Sequence, residues 1–183
     1  MKGLSGLLAG LMLSGCATMF AGSPKATAEL KNANGESVGT ASFWESAEGV
    51  RIVATVRGLP PGKHGFHIHT VGKCTPPDFT SAAAHFNPGG KQHGLKNPAG
   101  PHEGDLPNLE VGPDGTGRLE YVTKLVTLAT GPTSLLGTAG RALVIHADPD
   151  DETTDPMGHS GSRITCGVIT RATVSGGTLK SGY

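Results

Sequence analysis

The sequence predicts an all-β domain of about eight short antiparallel strands, interrupted by two long loops that carry the chemistry. Three observations lead there. Twenty-nine glycines and thirteen prolines among 183 residues disfavour helices and favour turns. Apolar and polar residues alternate over short stretches, as in Ile52, Ala54 and Val56 against Arg51, Thr55 and Arg57. Turn signals such as Asn34-Gly35, Glu48-Gly49 and Pro60-Pro61-Gly62 recur between those stretches.

The chain opens with Lys2 and an apolar run from Leu4 to Leu13, too short to span a bilayer and typical of an export signal. The run Leu13-Ser14-Gly15-Cys16 resembles the cleavage box of bacterial lipoproteins. That resemblance implies a lipidated Cys16 as the mature N-terminus, and Ala17 after it implies an outer-membrane anchor facing the periplasm. Residues 1–15 are thus read as signal peptide, 16–25 as a lipidated tether, 26–174 as the folded domain and 175–183 as a flexible tail.

Within the domain, strands are expected at Ala26 to Lys31 and Val38 to Trp44, joined by a hairpin turn over Asn32 to Gly35, and then at Val50 to Val56. After the Pro-Pro-Gly turn, His64 to His69 forms the next. Periodicity fails from Thr70 to Glu103, and a stretch of that length without a pattern belongs to a functional loop. Strands resume at Asp105 to Val111, Gly117 to Thr123 and Ala142 to His146. A second long loop, Ala147 to Ser162, precedes the last strand, Gly167 to Ala172.

Fifteen basic and fifteen acidic residues leave no net charge, which excludes a nucleic-acid or acidic-membrane partner recruited by bulk electrostatics. Few aromatic residues means a core of Val, Leu, Ile and Ala, and such a core needs a staple. Cys74 and Cys166 remain after Cys16, an even pair in an exported chain, and are expected to be oxidised. Their bridge closes a loop of about 90 residues, worth ~2–4 kcal/mol or slightly more.

All eight histidines lie between His64 and His159. In Phe66-His67-Ile68-His69 two imidazoles stand two apart on a strand and project from one face, where both can reach one metal ion. His146 ends an apolar strand that can lie beside them. Three nitrogen ligands with an open position suit a redox copper, although imidazole serves zinc as well. The loop adds His85, His93, His102 and Asp105; three nitrogens and a carboxylate oxygen make the closed tetrahedral set of a structural zinc.

These motifs resemble copper/zinc superoxide dismutase of the bacterial secreted kind. The likeness runs from about Ala26 to Ala172 and rests on Gly65-Phe66-His67-Ile68-His69, His85-Phe86-Asn87-Pro88, Gly100-Pro101-His102-Glu103-Gly104-Asp105-Leu106, the strand ending at His146, and Gly161-Ser162-Arg163-Ile164-Thr165-Cys166-Gly167. It implies a Greek-key β-sandwich or flattened barrel. It implies one copper per subunit on His67, His69, His85 and His146, and one zinc on His85, His93, His102 and Asp105. It also implies that His85 bridges the two metals and moves a proton while copper carries the electron from one superoxide to the next. Arg163, three residues before Cys166, becomes the group that draws in and orients the superoxide anion. Asp150 is matched to a carboxylate linking a copper ligand to a zinc ligand, with Asp148, Asp151 and Glu152 close enough to blur that choice. His64 is matched to a packing position, and His159 to no metal role.

Two features depart from many relatives. Residues 147–162 carry five acids and no lysine, so steering of superoxide falls to Lys73, Lys91 or Lys96. Assembly stays open between a monomer and a homodimer. The competing function is a periplasmic metal-binding module that retains the fold without turnover; the complete donor set together with Arg163 favours the enzyme.

Overall fold

The protein is described by a computed structural model over residues 22–173. Cys16, the signal peptide and the tail from Val174 lie outside the described residues. Nine strands follow in order: β1 (Ala26–Asn32), β2 (Ser37–Ser46), β3 (Gly49–Val56), β4 (Gly62–His64), β5 (Phe66–His69), β6 (Leu109–Val111), β7 (Gly117–Thr123), β8 (Arg141–His146) and β9 (Arg163–Arg171). They form one antiparallel sheet in the order β4-β6-β7-β3-β2-β1-β9-β8-β5. Its two terminal strands, β4 and β5, are separated in the chain by Gly65 alone. The sheet therefore rolls up on itself into a nearly closed barrel, the all-β architecture expected, with the non-local pairings β3 to β7 and β1 to β9 of a Greek key.

The alternation in β3 is observed directly: Val50, Ile52, Ala54 and Val56 are buried while Arg51, Val53 and Thr55 are less so. Those side chains join Leu30, Phe43, Phe66, Ile68, Leu106, Leu143 and Ile145 in the main core. A smaller cluster of Phe79, Ala82, Ala142, Val144 and Cys166 packs outside the barrel, beneath a disulfide between Cys74 and Cys166 whose Cα atoms are 5.6 Å apart. The expected bridge is present.

The expected strand His64 to His69 breaks at Gly65, which raises the count to nine. Gly65 sits where a Cβ would lie 2.6 Å from Cβ of Ser160, so the loop between β8 and β9 can press against the backbone there. Gly65 also ties the two strands it separates to the end of β8, accepting from His146 N at 2.8 Å and donating to Asp148 O at 2.9 Å. The expected strand Asp105 to Val111 is pared down to β6, because Asp105 is drawn into the histidine cluster and Pro107 has no amide to donate. Conversely, β9 starts four residues earlier than expected, at Arg163, pairing with His146.

Candidate metal centre

In β5 the even alternation sends Phe66 and Ile68 into the main core and leaves His67 and His69 on the opposite face, with all four residues buried. β8 lies antiparallel beside it, His67 opposite Val144 and His69 opposite Ala142. The same alternation carries Ala142 and Val144 to the histidine side of β8, and a register shift after Ile145 delivers His146 to its end. The other edge of β5 is covered by the first long loop. Phe86 N donates to Ile68 O and Ile68 N to Gly104 O, both at 2.8 Å, which sets His85 beside His69 and Asp105 beside His67.

This packing gathers six imidazoles and one carboxylate into a buried cluster. One donor atom each from His67, His69, His85 and His146 lies within 4.8 Å of the others, and the same holds for His67, His85, His93 and Asp105. Around Asp105 Oδ1, Nδ1 of His85, His93 and His102 stand at 3.2, 3.1 and 3.3 Å. Tetrahedral ligands at ~2.0–2.1 Å from zinc are themselves about 3.3 Å apart, so each of the three nitrogens already stands at that spacing from the carboxylate oxygen. Distance alone admits His67 here in place of His102. Both rings keep a buried Nδ1 without a hydrogen-bond partner, but His67 is also grouped with His69, His85 and His146, whereas His102 Nδ1 stands beside Asp105, which favours His102 here.

The orphaned nitrogens test the fit on the other side. Nδ1 of His67 and Nε2 of His69, His85 and His146 are buried and lack hydrogen-bond partners among the described residues. Buried polar atoms are ordinarily satisfied, and four orphans converging on one point are explained by a cation that is their common partner. Their ring partners fix which nitrogen is offered: His69 Nδ1 faces Ala83 O at 2.8 Å and His146 Nδ1 faces Gly161 O at 3.2 Å. Asp150 spans the two halves, 2.7 Å from His67 Nε2 and 3.0 Å from His93 Nε2. Asn108 holds Asp150 in turn, accepting from its amide and donating to its carbonyl, each at 2.8 Å.

Electrostatics separates the two halves as well. Burial and the neighbouring His85 push His67 down to about 3. Burial likewise lowers His69, His85 and, to about 4, His146. These rings are neutral near pH 7, the form that ligates metal. Burial works against a charged His93 too, yet the carboxylates of Asp105 and Asp150 on its two nitrogens outweigh it and raise it to about 9. Burial also disfavours the Asp105 anion, but the neighbouring His102, His85 and His93 rings and the Gly94 amide hold it far below the usual carboxylate range.

Arg163 lies at the start of β9 opposite His146. Its Nη1 donates to Phe79 O and its Nη2 to Ala83 O, both at 2.6 Å. Both carbonyls belong to non-glycine residues with positive φ, 54° at Phe79 and 63° at Ala83, flanking a single 3-10 turn at Thr80–Ala82. His64 stands outside both donor groups, its ring between the carbonyl oxygens of His146 and Pro60 at 2.8 Å each. His159 is exposed and faces Asp151 at 3.1 Å. Lys96 is tied to Glu152 at 2.7 Å, so its charge is compensated locally.

Sequence reasoning missed Asn108 and the carbonyls of Phe79 and Ala83. An asparagine just before a strand carries no distinguishing pattern, and carbonyl acceptors are invisible in a string of side chains.

The model of the family "Copper/zinc superoxide dismutase (SODC)" matches residues 37–169. Superoxide dismutase (Cu-Zn) 2 of Aquifex aeolicus is 50% identical over 171 residues, covering 92% of this chain and 99% of its own. The superoxide dismutase (Cu-Zn) of Deinococcus radiodurans is 44% identical over 175 residues, covering 89% and 92%. Among solved structures, a SOD-like protein from Bacillus subtilis superposes with a TM-score of 0.75 at 43% identity, covering 78% of this chain and 96% of that one.

Proposed function

The chain belongs to the copper/zinc superoxide dismutase family and is an oxidoreductase that dismutates superoxide, and from the paired donor groups we infer how its residues divide that work. In this reading His67 Nδ1 with Nε2 of His69, His85 and His146 holds copper. Nδ1 of His85, His93 and His102 with Asp105 Oδ1 holds zinc. When bound, copper supplies the one-electron redox chemistry and zinc a fixed positive charge.

One observation carries the assignment: the two nitrogens of His85 face different donor sets. Nδ1 lies 3.2 Å from Asp105, whereas Nε2 is buried, unpartnered and grouped with His67, His69 and His146. A ring fixed at Nδ1 can accept a proton at Nε2 and surrender it again without leaving its place. Two superoxide anions and two protons then become dioxygen and hydrogen peroxide, with His85 Nε2 delivering one of the protons and water the other. Arg163 binds and orients the anion, its guanidinium held by two carbonyls so that little reorganisation is needed on arrival. Asp150 keeps His67 and His93 in the tautomers that present Nδ1 inward.

The experiment is to load the purified protein with copper and zinc and follow superoxide decay. His85→Ala is expected to remove turnover while the protein still folds, and His159→Ala to leave it unchanged. Full activity in His85→Ala overturns the assignment.

The same reading places the enzyme in the periplasm, anchored through a lipidated Cys16. It is supported by the Leu13-to-Cys16 box and by a disulfide that needs an oxidising compartment. Mass spectrometry of the mature N-terminus tests it: an unmodified N-terminus at another residue overturns it. Sedimentation of the loaded enzyme distinguishes the single copy from the homodimer.

A further inference from the structure

Three acids of the loop between β8 and β9, Asp150, Glu152 and Asp155, are turned toward the segment that carries the zinc-side donors. Glu152 accepts the Lys96 amide on its carbonyl at 2.9 Å and pairs with the Lys96 ammonium; Thr153 O accepts from Asn97 Nδ2 at 3.1 Å. Asp155 reaches deeper. Its Oδ1 accepts from the His93 amide at 2.6 Å and stands 3.8 Å from His102 Nε2.

The remaining imidazoles define a rule. Each ring that offers one nitrogen to an ion has its other nitrogen on an acceptor: His67 and His93 on Asp150, His69 on Ala83 O, His146 on Gly161 O. Among the described residues His102 alone lacks one within hydrogen-bond reach, and the carboxylate facing its Nε2 is Asp155. With its side chain 47% exposed, Asp155 has room to move, and a closure of about 1 Å completes the bond.

We propose that Asp155 is a positioning residue of the zinc side, holding the His93 backbone and accepting a hydrogen bond from the Nε2–H of His102 so that both rings present Nδ1 to the ion. This rests on the ligand assignment above. The loop that lacks steering lysines instead supplies the outer carboxylates of the metal centre, Asp150 for His67 and His93, Asp155 for His102.

Full-length metal-free protein is titrated with zinc against a chromophoric chelator, with cobalt(II) absorption as a second reporter. Asp155→Ala is expected to weaken zinc on the order of 10- to 100-fold and to alter the cobalt spectrum, while the urea midpoint of the metal-free protein stays at the wild-type value. Asp155→Asn, which retains an acceptor oxygen, is expected to recover part of the affinity. Wild-type zinc affinity in Asp155→Ala overturns the proposal, and so does a fall in the metal-free midpoint that matches the fall in affinity, since that marks a scaffold role. His102→Ala is the control: if it too binds zinc normally, the ligand assignment has failed.

Discussion

Arg163 donates through Nη2 to the carbonyl oxygen of Ala83 at 2.6 Å, and that same oxygen faces Nδ1 of His69 at 2.8 Å. One oxygen thus ties the Arg163 guanidinium to a ring of the candidate metal centre. Arg163→Ala is expected to lower kcat/KM for superoxide by about tenfold or more, through lost attraction and orientation. Arg163→Lys retains the charge but cannot span both carbonyls, and should recover only part of the loss. Pulse radiolysis at several salt concentrations measures both; unchanged kcat/KM in the alanine variant dissociates Arg163 from the reaction.

Ala83 holds that oxygen from a conformation that glycine adopts freely and alanine only under strain, with φ 63° and ψ −150°. Relief of such strain is worth ~1–3 kcal/mol, part of which is returned as the extra chain entropy of glycine. Ala83→Gly is therefore expected to raise the urea-unfolding free energy by about 1 kcal/mol while loosening the carbonyl that Arg163 grips. A stability gain without any change in KM separates the strain from the positioning.

In the metal-free protein, stability should peak near pH 7, a little above the ~6.5 of an unfolded histidine because four rings are lowered and one raised, and fall on both sides. His67, at about 3, His146, at about 4, and His69 and His85 all sit below the ~6.5 of an unfolded histidine. The unfolded chain binds more protons in that window, so their contribution is whole above ~6.5 and is lost as the pH falls toward 4 and 3. The lowered Asp105 and Asp150 act in the same direction further into acid. His93, raised to about 9, does the reverse: its contribution is whole below ~6.5 and is lost as the pH climbs through 9. Urea melts from pH 4 to 10 measure the profile, and a flat one contradicts the electrostatics described.

Asp150→Ala leaves Nε2 of both His67 and His93 without their acceptor. Zinc and copper affinities are both expected to fall, on the order of 10- to 100-fold for each ion. Competition titrations with separate chelators read the two ions independently, and loss of one ion alone shows that the carboxylate serves a single ring.

Much of the site was legible because its donors announce themselves: His67 and His69 two apart on a strand, and His85, His93, His102 and Asp105 in one loop without periodicity. The strands with one face inward, β2, β3 and β7, were legible for the same reason that they are stable, since alternation writes burial into the string. What escaped acts across the chain. Gly65 breaks a strand because Ser160, 95 positions later, presses on it. Asn108 and Asp155 matter through partners more than 40 residues away, and Ala83 matters through its main chain. No local pattern encodes such meetings.

The outer rim of β5 is occupied by the loop that bears His85 and Asp105, through the amide and carbonyl of Ile68. Whatever releases that loop uncovers the edge of β5, with the amide and carbonyl of Ile68 left free to pair with another strand. The stretch of backbone that brings His85 and Asp105 to the cluster is thus also the one that shields this edge.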